Sequence, residues 1–398
     1  MRQPSFAKFW TARTLSSSTF QMLTVAIGWQ MYDITKDAFS LGYVGLAQFI
    51  PMFLLALIAG QVADRFDRRV IIALCQLTMA GAALFLLAGN YGGWLGRNEI
   101  LAAAAVIGGC RAFEGPTTTA LLPQIVPKSI LQQAIAWSTS AAQSAQIVGP
   151  SLGGLLIYLG PGYAYGVSIA TLLVAASLVS LIRLAPVVRN AGPLSLKSLF
   201  SGIVFIYKNK VIFGAVTLDM VAVFLGGVTA LLPIFAQDIL MAEGWGLGLL
   251  RASPAVGALL MSIYLAYRPL RAAFGLSMFG SLVVFGAATM AFALSTNILL
   301  SIVCLFFIGA SDVISVVIRS TLVQMQTPDE MRGRVNAANS LFVNTSNQLG
   351  EFESGIMAGW IGAVPSAFIG GIGTIAVAGL WMMLFPQLRR LKSLEGAK

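Results

Sequence analysis

Gly60-Gln61-Val62-Ala63-Asp64-Arg65-Phe66-Asp67-Arg68-Arg69 is a short polar island between two long apolar runs, Leu41–Ala59 and Val70–Ala88. No soluble core places a charged turn between two runs of bilayer length. The pattern predicts a helical hairpin in a membrane, with its basic loop on the cytoplasmic side.

The rest of the chain agrees. Of 398 residues, 57% are hydrophobic and 10% charged, whereas a soluble domain carries about a quarter charged residues. Twelve helical spans are expected, about 9–32, 40–60, 69–90, 100–122, 132–159, 162–183, 210–236, 246–267, 272–294, 297–320, 334–361 and 363–385. Nearly all exceed the length needed for a hydrocarbon core of about 30 Å. Nineteen lysines and arginines then fall on one side, against Lys36 and Arg97 on the other. That asymmetry places both termini in the cytoplasm and makes the net charge of +10 a topology signal. Scattered over short loops, it is not a nucleic-acid patch.

The first span contains Arg13 and lacks a small-residue cleavage site, unlike a signal peptide. Cys75, Cys110 and Cys304 fall inside spans and read as buried apolar residues. With no histidine, a His-bearing metal site or Ser/His/Asp set is excluded. There is no Walker-type phosphate loop, so ATP-driven transport by this chain alone is not expected, and no cofactor and no enzyme activity are expected either.

Residues 184–209 form the least hydrophobic long stretch and read as a linker followed by an amphipathic surface helix. They separate an N-terminal six-helix bundle, 1–183, from a C-terminal bundle with a short tail, 210–398. A shift of 201 positions aligns Gly108 with Gly309, Pro127 with Pro328, Gly149 with Gly350 and Gly154 with Gly355. Parallel repeats of this kind suit a transporter with an axis along the membrane normal. The same shift aligns Arg111 with Asp312, two opposite charges that either face one another across a cavity or are neutralised within their own halves.

Three further segments carry chemistry. Ile107-Gly108-Gly109-Cys110-Arg111-Ala112-Phe113-Glu114-Gly115-Pro116 puts an arginine and a carboxylate on one helix face inside a span. A pair that is made and broken can load and unload a proton, whereas a pair that stays closed is a structural ion pair. Gly149-Pro150-Ser151-Leu152-Gly153-Gly154 combines a proline bend with glycines that allow close helix contact. The loop Thr327–Asn336 leads into a polar stripe with Asn344, Asn347 and Glu351, a face that lipid would reject. Asp219 and Arg319 are also charges inside spans. Arg13, near a helix end, is read as snorkelling.

These motifs resemble the major facilitator superfamily over nearly the whole chain, and Thr327–Val335 looks like the T-P-x-x-x-x-G-R-[IV] segment of its enterobactin-exporter-like, drug-efflux branch. The island matches G-x-x-x-D-R-x-G-R-[KR] except for Asp67 at the second glycine. The Arg111 segment is similar to [LI]-x-x-x-R-x-x-Q-G, with Glu114 at the glutamine. Gly149–Gly154 resembles the G-P-x-x-G-G core of exporters and antiporters. The resemblance implies an all-α integral membrane protein of twelve helices in two pseudo-symmetric six-helix bundles. It implies proton-antiport export of a small amphipathic molecule, of siderophore or drug class, from the inner membrane by alternating access.

On that footing Gly60, Asp64, Arg65, Arg68 and Arg69 form a gate. Arg111, Glu114, Asp312, Glu351 and Asp219 are proton-coupling candidates. Asn344, Asn347 and Arg319 line the cavity, and Gly149, Pro150, Gly153 and Gly154 form the exporter kink. The expected partners are a small molecule, protons and membrane lipid, with the chain a monomer and no nucleic acid bound. A lipid or lysophospholipid flippase and a non-transporting receptor or secretion accessory are the alternatives.

Overall fold

The computed structural model describes residues 4–127, 130–182, 196–242, 244–268, 273–328 and 331–391; within the helices, residues 57, 60, 61, 64, 132, 136, 196–200, 332, 333, 337 and 344 are described by their backbone alone. Every described element is helical. The long helices are α1 (Pro4–Thr35), α2 (Ala38–Arg65), α3 (Arg68–Gly92), α4 (Arg97–Ile125), α5 (Leu131–Leu159) and α6 (Pro161–Ser180). A shorter helix, α7 (Leu196–Lys208), precedes α8 (Lys210–Gly226). The remainder are the three-residue α9 (Leu232–Ile234), α10 (Gly244–Tyr267), α11 (Phe274–Leu294), α12 (Ile298–Gln326), α13 (Arg332–Ile361), α14 (Ala363–Leu384) and the four-residue α15 (Pro386–Arg389).

Among the described residues eight helical stretches are long and apolar enough to cross a bilayer, one of them, Lys210–Ile239, running from α8 past α9. They cover expected spans two, three, six to ten and twelve. The other four expected spans are present as α1, α4, α5 and α13, of 32, 29, 29 and 30 residues. These four are long enough but dilute their apolar surface with polar side chains, as helices do when they face other helices rather than lipid.

Local chemistry sets the helix ends. Asp37, Asp67, Asn209 and Asn297 each accept backbone N–H groups in the first turns of α2, α3, α8 and α12. Gly160 (φ 128°) and Gly362 (φ 91°) make the one-residue reversals between α5 and α6 and between α13 and α14, a backbone that a side chain would strain. The expected single helix over 210–236 is broken instead. It stops at Gly226, and a 3-10 turn, α9 and a π turn over Phe235–Ile239 complete the span. At the break, the carbonyl of Gly227 is taken by Ser354 Oγ at 2.6 Å, which satisfies a group that lipid could not.

The chain divides into two compact units, Met1–Leu194 with Met241–Ala252, and Ser195–Leu240 with Ser253–Lys398. In the first, α1 packs on α5 and α6, α2 on α4, and α3 on α4 and α6. In the second, α8 packs on α13 and α14, and α11 on α12 and α14. The same scheme recurs at equivalent helices. Gly108 of α4 lies against the backbone of Gln48 on α2, and Gly309 of α12 against that of Pro254 on α10. A β-carbon on Gly149 would stand 2.7 Å from Ser18 O on α1, and one on Gly350 would stand 3.0 Å from Phe224 O on α8. Glycines aligned by the 201-residue shift therefore occupy matching helix crossings. The helix α7 packs within the second unit, where Ile206 is buried with Ile212, Val216, Val323, Val335 and Ala338.

Candidate functional site

In the first unit, Glu114 is buried in the middle of α4. Its Oε1 accepts from Ser16 Oγ of α1 at 2.5 Å and from Gln76 Nε2 of α3 at 3.0 Å. Its Oε2 accepts from Arg111 Nη1 at 2.9 Å. The Arg111 guanidinium in turn lies 4.3 Å over the Phe20 ring of α1. Three helices thus supply three donors to the two oxygens of one carboxyl group.

A cavity of about 70 Å³ adjoins this cluster and is lined by Arg13, Ser17, Gln76, Arg111, Glu114 and Thr118, among others. Arg13 does not merely snorkel. It donates from Nη1 to Ser138 Oγ of α5 at 2.5 Å and reaches the cavity wall. The first cluster accordingly holds two arginines against one carboxylate.

The second unit reverses the ratio. Asp219 of α8 pairs with Arg319 of α12 at 3.0 Å, and both side chains are at least 95% buried. Ser315 Oγ contacts Asp219 Oδ1 at 3.4 Å. Asp312, two turns before Arg319 on α12, is within electrostatic reach of both. Among the described residues Asp312 has no hydrogen bond or ion pair of its own. Arg111 and Arg319 are therefore each paired within their own unit, Arg111 with Glu114 and Arg319 with Asp219. Glu351 and Asn347 lie on α13, which carries no member of this cluster, and Asn344 falls among the undescribed side chains.

The island at Gly60–Arg69 resolves into a capped turn. Asp67, at the position where the resembling pattern has glycine, has φ −67° and needs no glycine freedom. Its carboxylate caps α3 by accepting from Arg69 N at 2.9 Å and pairs with the Arg69 guanidinium at 2.7 Å. Arg69 Nη1 also donates to Ile182 O beyond α6 at 2.6 Å, and Arg68 Nη1 to Ala120 O near the end of α4 at 2.7 Å. Cations on C-terminal carbonyls are favoured by the helix dipole. Arg65 is exposed in the last turn of α2, and Gly60 and Asp64 are described there by their backbone alone.

The exporter-like segment is a crossing point. Gly153 abuts Met22 and Val25 of α1, and Pro150 is buried. Gly154 sits against Gly244 and Gly248 at the start of α10, where β-carbons on those two glycines would stand 2.9 Å from Gly154 O and Gly154 Cα respectively. Small residues four apart let the two backbones touch.

Several members of these clusters escape sequence reasoning. Ser16, Gln76, Ser138 and Ser315 form no motif. Gln76 alone carries a signal, as an amide in the middle of the apolar run of α3. The same holds for the buried chain Tyr165 OH to Gln30 Oε1, 2.5 Å, and Gln30 Nε2 to Asn90 Oδ1, 2.6 Å.

Known proteins share this architecture. The chain matches the family model described as "Transmembrane secretion effector" over residues 1–397. The enterobactin exporter EntS of Citrobacter koseri is 29% identical over 403 residues, covering 98% of this chain and 94% of the relative. EntS of Shigella boydii serotype 18 is 27% identical over 398 residues with the same coverage. Among solved structures, a bacterial homologue of the iron transporter ferroportin in the inward-facing state aligns with a TM-score of 0.74 at 16% identity, covering 98% of this chain and all of that one. A D-xylose–proton symporter aligns with a TM-score of 0.74 at 14% identity, covering 98% and 99%. At those identities the structural likenesses speak for the fold.

Proposed function

The chain belongs to the transmembrane secretion effector family of the major facilitator superfamily, and from that premise we propose that it exports a small amphipathic molecule by proton antiport and alternating access. That it is a membrane efflux transporter follows from its family and relatives. The finer reading rests on one observation, the pair of buried carboxylate–arginine clusters with opposite surpluses.

A carboxylate that has no donor or cation of its own exchanges a proton without breaking an existing bond. Glu114 has three donors, whereas Asp312 shares the single arginine of its cluster with Asp219. Asp312 is therefore the proton carrier in this reading, with Asp219 and Arg319 as its electrostatic partners, and Glu114 a positioning residue for Arg111. Glu351 is a further candidate carboxylate. The capped turn at Asp67–Arg69, with Gly60, Asp64 and Arg65, acts as a cytoplasmic latch, and the basic loops keep both termini in the cytoplasm. The relatives' printed names make siderophore-class molecules the first cargo to try. The chain works as a monomer.

The test uses everted membrane vesicles with an acid interior and a fluorescent ΔpH probe. Adding a cargo of the right class collapses ΔpH with the wild-type chain. Asp312→Asn abolishes the collapse, and Glu114→Gln retains part of it. Collapse that survives Asp312→Asn removes Asp312 from the coupling. No collapse with any amphipathic compound, alongside lipid translocation without a gradient, replaces antiport with flippase activity.

A further inference from the structure

We infer that the cavity beside Glu114 is the seat of an acidic oxygen group on the exported molecule, held by Arg13, and that the cargo is accordingly an organic anion with a hydrogen-bond donor next to its charge. The inference rests on the export reading for the word cargo, but its binding site stands on the cavity alone.

Charge points to the ligand first. Arg111 is matched by Glu114 at 2.9 Å, which leaves Arg13 as the surplus cation of the cluster. Its contact at Ser138 Oγ is neutral and leaves most of the guanidinium's donors for a ligand. Among the described residues Arg13 makes no salt bridge of its own and shares the one nearby carboxylate, Glu114, with Arg111, so an oxyanion offsets the cost of the second cation most directly, through charge-assisted bonds to its guanidinium.

A second, independent observation concerns Gln76. It is 99% buried, lines the same cavity and uses its Nε2 on Glu114. Its Oε1 has no partner, and because the amide N–H group is committed to a carboxylate, the orientation of the amide is set. An orphaned buried acceptor calls for an O–H or N–H donor. The cavity thus has a cation on its wall and, on a residue of the same wall, a fully buried bare acceptor, which together complement an oxyanion flanked by a hydroxyl or amine.

Size separates the group from the whole molecule. About 70 Å³ exceeds several-fold the roughly 10–15 Å³ that one water needs. It is far below the about 300 Å³ at which sites begin to enclose a drug-sized ligand. The cavity takes a headgroup of a few heavy atoms, and Phe9 and Val179 on its wall offer apolar contact to the carbon next to it.

Three probes of similar size dissect this site: mandelate, with acid and adjacent hydroxyl; phenylacetate, with the acid alone; and methyl mandelate, with the hydroxyl alone. Binding to the purified full chain in detergent is followed by isothermal titration, with no gradient present. Mandelate is expected to bind at least tenfold tighter than methyl mandelate and severalfold tighter than phenylacetate. Arg13→Gln erases the preference for acid over ester, and Arg13→Lys restores it in part, which separates lost recognition from lost folding. Equal binding of acid and ester, or an acid preference that survives Arg13→Gln, overturns the inference. An acid preference in a chain that never collapses ΔpH keeps the seat and removes antiport. ΔpH collapse by methyl mandelate as strong as by mandelate keeps antiport and removes the seat.

Discussion

The two buried clusters join the same pair of helices in opposite senses. In the first unit the serine is on the opening helix and the carboxylate on the fourth, as Ser16 and Glu114. In the second unit the carboxylate is on the opening helix, as Asp219, and the serine is Ser315. Ser315 is the residue that the 201-residue shift aligns with Glu114. The crossing is kept while its donor and acceptor trade places. Arginine supply then separates the clusters, since the first has one to spare and the second has too few. A repeat can thus hold its packing constant and vary its electrostatics, because the glycine crossings and the polar pairs use different side chains.

The contrast predicts a steep difference between the arginines. Arg319→Gln strands Asp219 and Asp312 without a cation, and loss of one partner of a buried pair costs about 3–5 kcal/mol. Unfolding in detergent followed by circular dichroism measures it, and Asp219→Asn added to Arg319→Gln returns much of the loss. A fall as small as that from Arg13→Gln would erase the distinction between the units.

Next in size is Glu114→Gln. The amide keeps one acceptor oxygen but sets an N–H group against the donors around it, at a cost of about 1–3 kcal/mol. The same unfolding assay reads it, and a neutral result would mean that the three donors do not hold the carboxylate.

Gly108→Ala and Gly309→Ala test the shared frame. Each adds a methyl group against a backbone carbonyl of the neighbouring helix and costs about 1–3 kcal/mol by overpacking. Their near equality in thermal midpoint would sharpen the repeat. A large loss in one alone would break it. Gly81→Ala, with open space around its α-carbon, serves as the reference and stabilises by at most about 1 kcal/mol.

Smallest are Arg13→Gln and Asp312→Asn, each within about 0.5–1 kcal/mol, because neither leaves a charge without its partner. Their effects belong to binding and to proton coupling. A large destabilisation by either would make it structural.

Much of the fold was legible because its signals act along single helices. Bilayer-length apolar runs on either side of Asp67 and along the later spans need no knowledge of neighbours, whereas the caps at Asp37, Asn209 and Asn297 came only with the structure. The four polar helices were legible by length, and their low apolarity becomes intelligible once α1 and α4 are seen to meet at Glu114. The break after Gly226 was missed, since its compensation comes from Ser354, more than a hundred residues away.

The amino-acid sequence by itself determined the helical membrane architecture, the polar turn, the glycine frame and the identities of the buried charges. Tertiary structure alone decided that Arg319 joins Asp219, that Ser16 and Gln76 hold Glu114, and that Arg13 is left over beside a cavity. Hydropathy and charge placement act on each helix separately against lipid and water. Pairing depends on how helices rotate and cross, and that is set by packing many weak contacts at once.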